Sequence, residues 1–275
     1  MRQTAEACAD ASARAGIELA GTATETSRWL LLEHRGAWGR DAVEDTELPE
    51  AVRETLSSFP GRTLLVRRPD RRAGRTTVFE AEATEAGGRL TRRRLETMDE
   101  LAGGVAGGEP IAGPLLLVCA HGRRDACCAR LGVPVFDALA PHADPGGLWQ
   151  SSHQGGHRFA ANVLVLPWGV QLGRVAPDDA ARVVALLKGG RIPLDLYRGR
   201  ALYTPVVQAA EVFVRTQLDA DAVGGLELLA VDGDRVTFAH AGGETSVAVD
   251  EHPGPIVPAS CGAEPEPATV YSVRW

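Results

Sequence analysis

Cysteine and histidine are concentrated in one short part of this 275-residue chain. Cys119, Cys127 and Cys128 lie within ten positions, and His153 and His157 follow as a second pair separated by Gln-Gly-Gly. Thiolate sulfur and imidazole nitrogen are the ligands that zinc and iron sites use. A group of cysteines followed so closely by a pair of histidines predicts a metal site.

Chemistry alone does not decide whether Cys127 or Cys128 is the metal ligand. Neighbouring residues of a helix project about 100 degrees apart, so only one of the two can face a site that Cys119 also holds. Asp125 is predicted to cap the helix that begins here. That start would place Cys128 at the third helical position, where the positive end of the helix dipole favours a thiolate.

The histidine pair is predicted to lie in a loop. His153 and His157 would share one face of a helix, but Gly155 and Gly156 between them disfavour a helix. Glycines let a backbone approach a bound group closely and present N–H groups to bridging sulfides. The zincin signature requires a Glu after the first histidine, and Gln154 stands there instead. Peptidase chemistry is therefore excluded.

The other cysteines and histidines are predicted to be structural. Cys8 and Cys261 are expected to be small buried hydrophobic residues. Cys119-Ala-His121 matches half of a Rieske pattern whose second half is missing, so His121 is expected to support the site rather than bind metal. The residues expected to surround the ligands are His121, Arg124, Asp125, Gly155, Gly156 and Arg174. Ordinary hydrogen bonding or a surface position is expected for His34, His142, His240 and His252.

Composition excludes several classes of protein. Hydrophobic residues make up 44% and charged residues 24%, which is typical of a globular chain. Acidic residues outnumber basic ones by 36 to 29 and give a net charge of −7. Phosphate binding needs a basic field, so nucleic acid is not an expected partner. The Arg-dense segment 67–75 is too local to reverse this and is predicted to be a solvated loop.

Neither a membrane span nor a secretory signal is predicted. Apolar stretches such as 29–32 and 115–120 are far shorter than the roughly 18 residues that cross a bilayer. The first twenty residues lack a basic segment followed by an apolar core. We therefore expect a cytoplasmic protein without membrane contact, whose cysteines stay reduced.

Two halves of the chain show the same order of predicted elements, about 80 residues apart. Each half has a strand, a helix, a second strand, a hairpin and a closing helix. This order predicts an α/β fold with a thioredoxin-like mixed sheet and flanking helices, in two tandem diverged copies. The predicted elements lie at 28–33, 48–58, 63–66, 76–83, 89–96 and from 97 onward, then at 115–119, 125–139 with a break near Pro134, 148–152, 162–166, 170–175 and 177–188.

The Gly- and Pro-rich run 103–114 is the clearest linker. We therefore predict a degenerate thioredoxin-like domain at 1–110, a second one carrying the Cys/His site at 111–218, and a small β-rich extension at 219–275. From Arg28 to the linker the first copy contains no cysteine, so a packing or docking role is expected. Trp275 is expected to pack on its own domain.

With these residues assembled, the sequence resembles the sucrase/ferredoxin-like family from about residue 21 to 217. The specific part is Cys119-x8-Cys128 followed by His153-Gln-Gly-Gly-His157. One departure is Ala161, since members commonly have Gly before the equivalent of Asn162. Weaker likeness extends to Trp29-Leu-Leu-Leu-Glu33, to His157-Arg-Phe-Ala-Ala-Asn162, and to Arg198-Gly-Arg200 before Gln208-Ala-Ala-Glu211.

The resemblance implies a thioredoxin-like [2Fe-2S] ferredoxin in the second half of the chain. By the family spacing, the iron ligands would be Cys119, Cys128, His153 and His157, which selects Cys128 over Cys127. Related thioredoxin-like ferredoxins have a second Cys-x3-Cys pair where the two histidines stand here.

We therefore expect a one-electron carrier or redox module with an unknown donor or acceptor protein and an open oligomeric state. Two ferric ions, two sulfides, two thiolates and two neutral imidazoles sum to zero charge. The potential should therefore lie nearer the Rieske range of about −150 to +300 mV, with proton uptake on reduction. The alternatives are a structural zinc protein with the same ligands and, less favoured without a C-x-x-C motif, a thiol oxidoreductase. Sucrase activity is not supported, because no carboxylate pair stands out.

Overall fold

The structure is a computed structural model that describes residues 6–68 and 74–275. Residues 69–73 of the predicted Arg-rich loop lie outside the described residues, and Arg67 ends a strand. The first copy and the helix before it comprise α1 (Cys8–Arg14), β1 (Arg28–Glu33), α2 (Glu50–Ser57), β2 (Arg62–Arg67), β3 (Thr76–Glu82), β4 (Arg89–Leu95) and a 3₁₀ turn (Met98–Gly103).

The second copy repeats this order. Its elements are β5 (Glu109–Pro110), which pairs back on β4, then β6 (Leu115–Cys119), α3 (Ala126–Leu139), β7 (Leu148–Ser151), β8 (Val163–Leu166), β9 (Val170–Leu172) and α4 (Ala180–Lys188). Beyond it lie β10 (Tyr197–Arg200), α5 (Pro205–Leu218) and a separate antiparallel sheet of β11 (Glu227–Asp232), β12 (Arg235–His240), β13 (Gly243–Pro258) and β14 (Pro265–Arg274).

Strand pairing confirms the thioredoxin-like fold in both copies. β1 runs parallel to β2 and antiparallel to β3, and β6 runs parallel to β7 and antiparallel to β8. The copies share one ten-stranded sheet because the second strand of each, β2 and β7, pair antiparallel. Beyond β7 the Ser152 N–H donates to the Leu65 carbonyl at 2.7 Å. The two predicted copies are therefore joined edge to edge, and the predicted domain limits stay a prediction.

Alternating apolar residues bury both faces of this sheet. Leu116 and Val118 face the cluster that includes α3 and α4, whereas Leu115 and Leu117 face the opposite side. On that opposite side the two copies contribute to one apolar cluster, in which the Phe79 and Trp149 rings meet edge to face at 5.3 Å. The site strand β6 is buried along its whole length.

Three features differ from the sequence expectation. The predicted break at Pro134 is wrong, because α3 continues through it. Proline removes one helical N–H, but Val135, Phe136 and Leu139 bury the following turn in the core and offset that loss. Strand β10 was not predicted, and within the β-rich extension predicted at 219–275 the long strands β13 and β14 continue through prolines, which ordinarily disfavour strands.

At the chain end, Trp275 contacts Phe213 of α5 at 5.3 Å between ring centroids and stays 62% exposed. Within residues 6–68 and 74–275, no helix is long and apolar enough to cross a membrane.

Candidate metal centre

The candidate ligands meet where β6 ends and α3 begins. Cys119 is the last residue of β6, and Cys128 is the third residue of α3. The ligand atoms of Cys119, Cys128 and His153 all lie within 4.8 Å of one another, with Sγ of Cys128 3.9 Å from Nδ1 of His153. Both cysteines are buried and His153 is half-buried. The structure therefore brings three of the four predicted ligands into one group.

His157 lies beside this group rather than within it. Its ring centroid is 4.8 Å from that of His153. Among the described residues its Nδ1 is buried and has no hydrogen-bond partner, while its Nε2 lies 3.9 Å from Oδ2 of Asp125. Metal-binding histidines commonly donate their outer ring N–H to a carboxylate, and the Asp125 carboxylate lies just beyond that distance here.

Asp125 caps α3, as predicted. Its Oδ1 accepts the Cys127 N–H at 2.9 Å, and its Oδ2 accepts the Cys261 N–H at 2.8 Å. Burial raises the pKa of Asp125, but these two backbone hydrogen bonds and the nearby His157 outweigh burial and leave the pKa below its ordinary value. The Asp125 carboxylate therefore carries a negative charge between His157 and the Cys127 and Cys261 N–H groups.

His121 supports the histidine loop, and both of its ring nitrogens have hydrogen-bond partners. Its Nδ1 accepts the His153 N–H at 3.2 Å, and its Nε2 lies 2.7 Å from the carbonyl oxygen of Gly39. The His153 carbonyl accepts a bond from Arg62 Nη2 at 3.2 Å. Arg62 belongs to the first copy, and sequence reasoning missed it because no local pattern links it to the loop.

The two loop glycines are required by protein neighbours. Gly155 and Gly156 have φ values of +95° and +65°. A Cβ atom at Gly155 would overlap Oγ1 of Thr24, and one at Gly156 would overlap the guanidinium of Arg198. Both glycines were expected to allow the close approach of a bound group. The structure shows instead that Thr24 and Arg198 leave no room for a side chain at these positions.

A buried polar network holds the histidine loop in place. Arg198 is 1% exposed and donates to Oδ1 of Asn162 at 2.9 Å, to Oγ1 of Thr22 at 3.0 Å and to the Thr22 carbonyl. Asn162 Nδ2 in turn donates to the Gly156 carbonyl at 2.9 Å. The buried Gln154 amide donates to the Leu117 carbonyl at 2.7 Å. The sequence alone does not predict this supporting role of Gln154.

The electrostatics of the two site thiols are unequal. A hydrogen bond from Cys128, together with the adjacent His153 and the Gln154 N–H, lowers the pKa of Cys119 well below its ordinary value despite burial. The same hydrogen bond and burial raise the pKa of Cys128. Burial also lowers the pKa of His157, against the opposing effect of Asp125, and so favours its neutral, ligand-competent form. A cation bound here would displace the proton of Cys128.

Cys127 points away from this centre. Its Sγ joins a second group with Cys8, Cys261 and Asp125. Cys8 is buried as expected, but Cys261 is only partly buried, and neither is an isolated hydrophobic residue. No sequence spacing links the three cysteines of this group, because they lie more than 100 residues apart.

The remaining predicted neighbours lie farther out. Arg124 is exposed and lines a surface cavity together with Arg62, His121 and His153. Arg174 Nη2 donates to the Ile17 carbonyl at 2.6 Å and to the Ser12 hydroxyl at 3.2 Å, so its observed role is to hold the N-terminal segment.

Comparison with known proteins gives similarity over part of the chain. Altered inheritance of mitochondria protein 32 from Meyerozyma guilliermondii is 35% identical over 104 residues, covering 33% of this chain and 36% of that protein. The protein of the same name from Eremothecium gossypii is 34% identical over 131 residues, covering 42% of each chain. The matches thus span about two-fifths or less of these relatives.

Among solved structures, a thioredoxin-like [2Fe-2S] ferredoxin from Aquifex aeolicus aligns with 25% identity and a TM-score of 0.29, covering 32% of this chain and 91% of that one. A cysteine-to-serine variant of that ferredoxin aligns with 26% identity and a TM-score of 0.28, covering 30% and 96%. The family model described as sucrase/ferredoxin-like matches residues 19–199, which include both thioredoxin-like copies and the Cys/His centre. The chain therefore belongs to the sucrase/ferredoxin-like family.

Proposed function

We propose that this protein is a one-electron carrier whose [2Fe-2S] cluster is held by Cys119, Cys128, His153 and His157. The observation that carries the proposal is the convergence of two buried thiols and the His153 imidazole within 4.8 Å. The His157 ring, with a buried Nδ1 that lacks a partner among the described residues, lies directly beside His153.

The donor set fits an iron–sulfur cluster chemically. Two thiolates are the ligands such clusters require, and two imidazoles replace the other pair in Rieske centres. When bound, the cluster supplies reversible one-electron chemistry. The protein supplies two thiolates and neutral imidazoles, which together leave the oxidised site without net charge. Less energy is then needed to add an electron than at a four-thiolate site, which supports a potential above that of plant-type ferredoxins.

Electron exchange requires an approach to the surface, and His153 provides one. It is half-buried and lines a surface cavity, whereas Cys119 and Cys128 are 1% exposed. We propose that the unknown redox donor or acceptor docks over this cavity, which includes Arg62 and Arg124. The cytoplasmic location expected from the sequence stays a prediction.

Metal and sulfide analysis of matched cysteine variants tests the assignment. The full chain would be purified without oxygen and assayed for iron, acid-labile sulfide, visible absorption and the electron paramagnetic resonance signal after reduction. We expect two irons and two sulfides per chain, their loss in Cys128→Ser, and their retention in Cys127→Ser. The adjacent Cys127 is the matched control because it is equally buried and faces the other group.

A single structural zinc ion is the second candidate. Three ligand atoms within 4.8 Å also suit one tetrahedral ion. One zinc per chain that is lost in Cys128→Ser, with no sulfide after expression in iron-rich medium, would replace the electron-transfer proposal by this one.

A further inference from the structure

We propose that Cys8, Cys127 and Cys261 form a second metal site, which binds one zinc ion with Asp125 as the fourth ligand. The three sulfur atoms form a closed triangle, with separations of 3.7 Å between Cys8 and Cys127, 3.4 Å between Cys127 and Cys261, and 3.6 Å between Cys261 and Cys8. Both carboxylate oxygens of Asp125 lie 3.8 Å from Sγ of Cys8.

The triangle has the dimensions of a tetrahedral thiolate site. Zinc binds thiolate sulfur at about 2.3 Å, so two sulfurs on one tetrahedral zinc lie about 3.8 Å apart. The observed separations of 3.4 to 3.7 Å need only a slight expansion. They are far longer than the roughly 2.05 Å of a disulfide, and all three cysteines are free.

Three distant parts of the chain converge to build the triangle. Cys8 is the first residue of α1, Cys127 the second residue of α3, and Cys261 lies in the turn between β13 and β14. The pairs are separated by 119, 134 and 253 residues. A bound ion would therefore tie both ends of the chain to the helix that carries Cys128, and closing such long loops restricts the unfolded chain strongly.

Charge and access also suit a cation. Cys8 and Cys127 are buried and Cys261 is partly exposed, which leaves an entry side at the turn. Burial and the nearby Asp125 raise the pKa of Cys8, so this thiol is neutral in the metal-free site. Binding one Zn²⁺ as three thiolates would release three protons to solvent. A mixed set of three thiolates and one carboxylate favours zinc over copper(I), because copper(I) prefers coordination by sulfur alone.

This site shares no thiol with the proposed cluster, so the two can fail separately. The full chain would be expressed with both iron and zinc, purified without oxygen and analysed for zinc, iron and sulfide. Cys261→Ser is expected to lower zinc from one per chain to near zero and to leave iron and sulfide unchanged. Cys119→Ser is expected to do the reverse. Ser260→Ala, in the same turn as Cys261, is the matched control and should retain zinc.

A second readout covers a variant that fails to fold. Cobalt(II) added to the metal-stripped Cys128→Ser chain should give thiolate-to-cobalt charge-transfer bands and tetrahedral d–d bands at one equivalent. Absence of these bands would overturn the proposal. So would zinc that persists in Cys261→Ser, or mass spectrometry of the oxygen-free protein showing a disulfide between two of the three cysteines.

Discussion

The Asp125 carboxylate stands between the Cys/His centre and the group of Cys8, Cys127 and Cys261: its Oδ2 lies 3.9 Å from Nε2 of His157, and both of its oxygens lie 3.8 Å from Sγ of Cys8. The same side chain caps α3 through the Cys127 N–H. One carboxylate thus lies beside a proposed cluster ligand, fixes the start of the ligand-bearing helix and faces the three thiols.

Asp125→Asn separates the charge of this residue from its capping role. The amide oxygen can still accept the Cys127 N–H, but the amide nitrogen cannot accept the Cys261 N–H, so the unfolding free energy should fall by about 1–3 kcal/mol. Removing a negative charge near the centre makes reduction easier, and we expect the midpoint potential to rise by about 50–100 mV. A redox titration measures this. Asp137→Asn makes the same charge change at an exposed position of α3 and should have little effect. An unchanged potential in Asp125→Asn would contradict the proposed proximity of cluster and carboxylate.

Gly155→Ala should destabilise the histidine loop. The residue has φ +95°, and the added methyl group would overlap Oγ1 of Thr24. We expect a loss of about 2–3 kcal/mol in unfolding free energy, measured by urea denaturation. Gly146→Ala is the control, because Gly146 has φ +81° but open space around its Cβ position. It should cost only about 1 kcal/mol, and equal losses in the two variants would show that contact with Thr24 is unimportant.

Arg198→Lys should loosen the loop, because it replaces the planar guanidinium by a single amine. Arg198 bonds both Asn162 and Thr22, and a lysine ammonium cannot reproduce that planar set of donors. We expect about 2 kcal/mol lower stability and faster loss of iron to a chelator. Arg182→Lys is the control, because Arg182 forms an exposed ion pair with Asp195. It should change the unfolding free energy by less than about 0.5 kcal/mol and leave the rate of iron loss unchanged. Normal iron retention in Arg198→Lys would argue that the network does not hold the ligand loop.

Acidification should destabilise the fold through His34. Burial lowers the pKa of His34, so the folded chain binds fewer protons than the unfolded chain below about pH 6.5. The stability contribution is complete above that pH and falls as the pH drops toward the folded pKa, with a slope of at most about 1.4 kcal/mol per pH unit. Urea denaturation from pH 8 to 5 should therefore show a shallower decline in His34→Gln than in wild type. Parallel curves would refute this role.

The parts of the molecule that depend on local sequence were predictable. Asp125 as a cap, Cys128 at the third position of α3 and the repeated order of elements all depend on neighbouring residues, and the structure has each of them. The family resemblance from the Cys/His motif is likewise confirmed. The choice of the four iron ligands stays a prediction.

What the sequence did not reveal depends on distant packing. Arg62 reaches the His153 carbonyl across 91 positions, and Cys8 reaches Cys261 across 253. No spacing rule links such residues. The break expected at Pro134 was wrong for the same reason, because burial of the next turn outweighs a local preference.

The pairing of β2 with β7 limits how far the cysteine-free copy can be regarded as dispensable. Leu65 exchanges two hydrogen bonds with Ser152, at 2.7 and 3.0 Å, and Arg62 holds the next carbonyl. A fragment excised near residue 111 would contain the four proposed cluster ligands but lose these bonds and expose β7 as an open edge prone to self-association. The first copy therefore covers the β7 edge of the second, and the minimal unit for engineering is the pair.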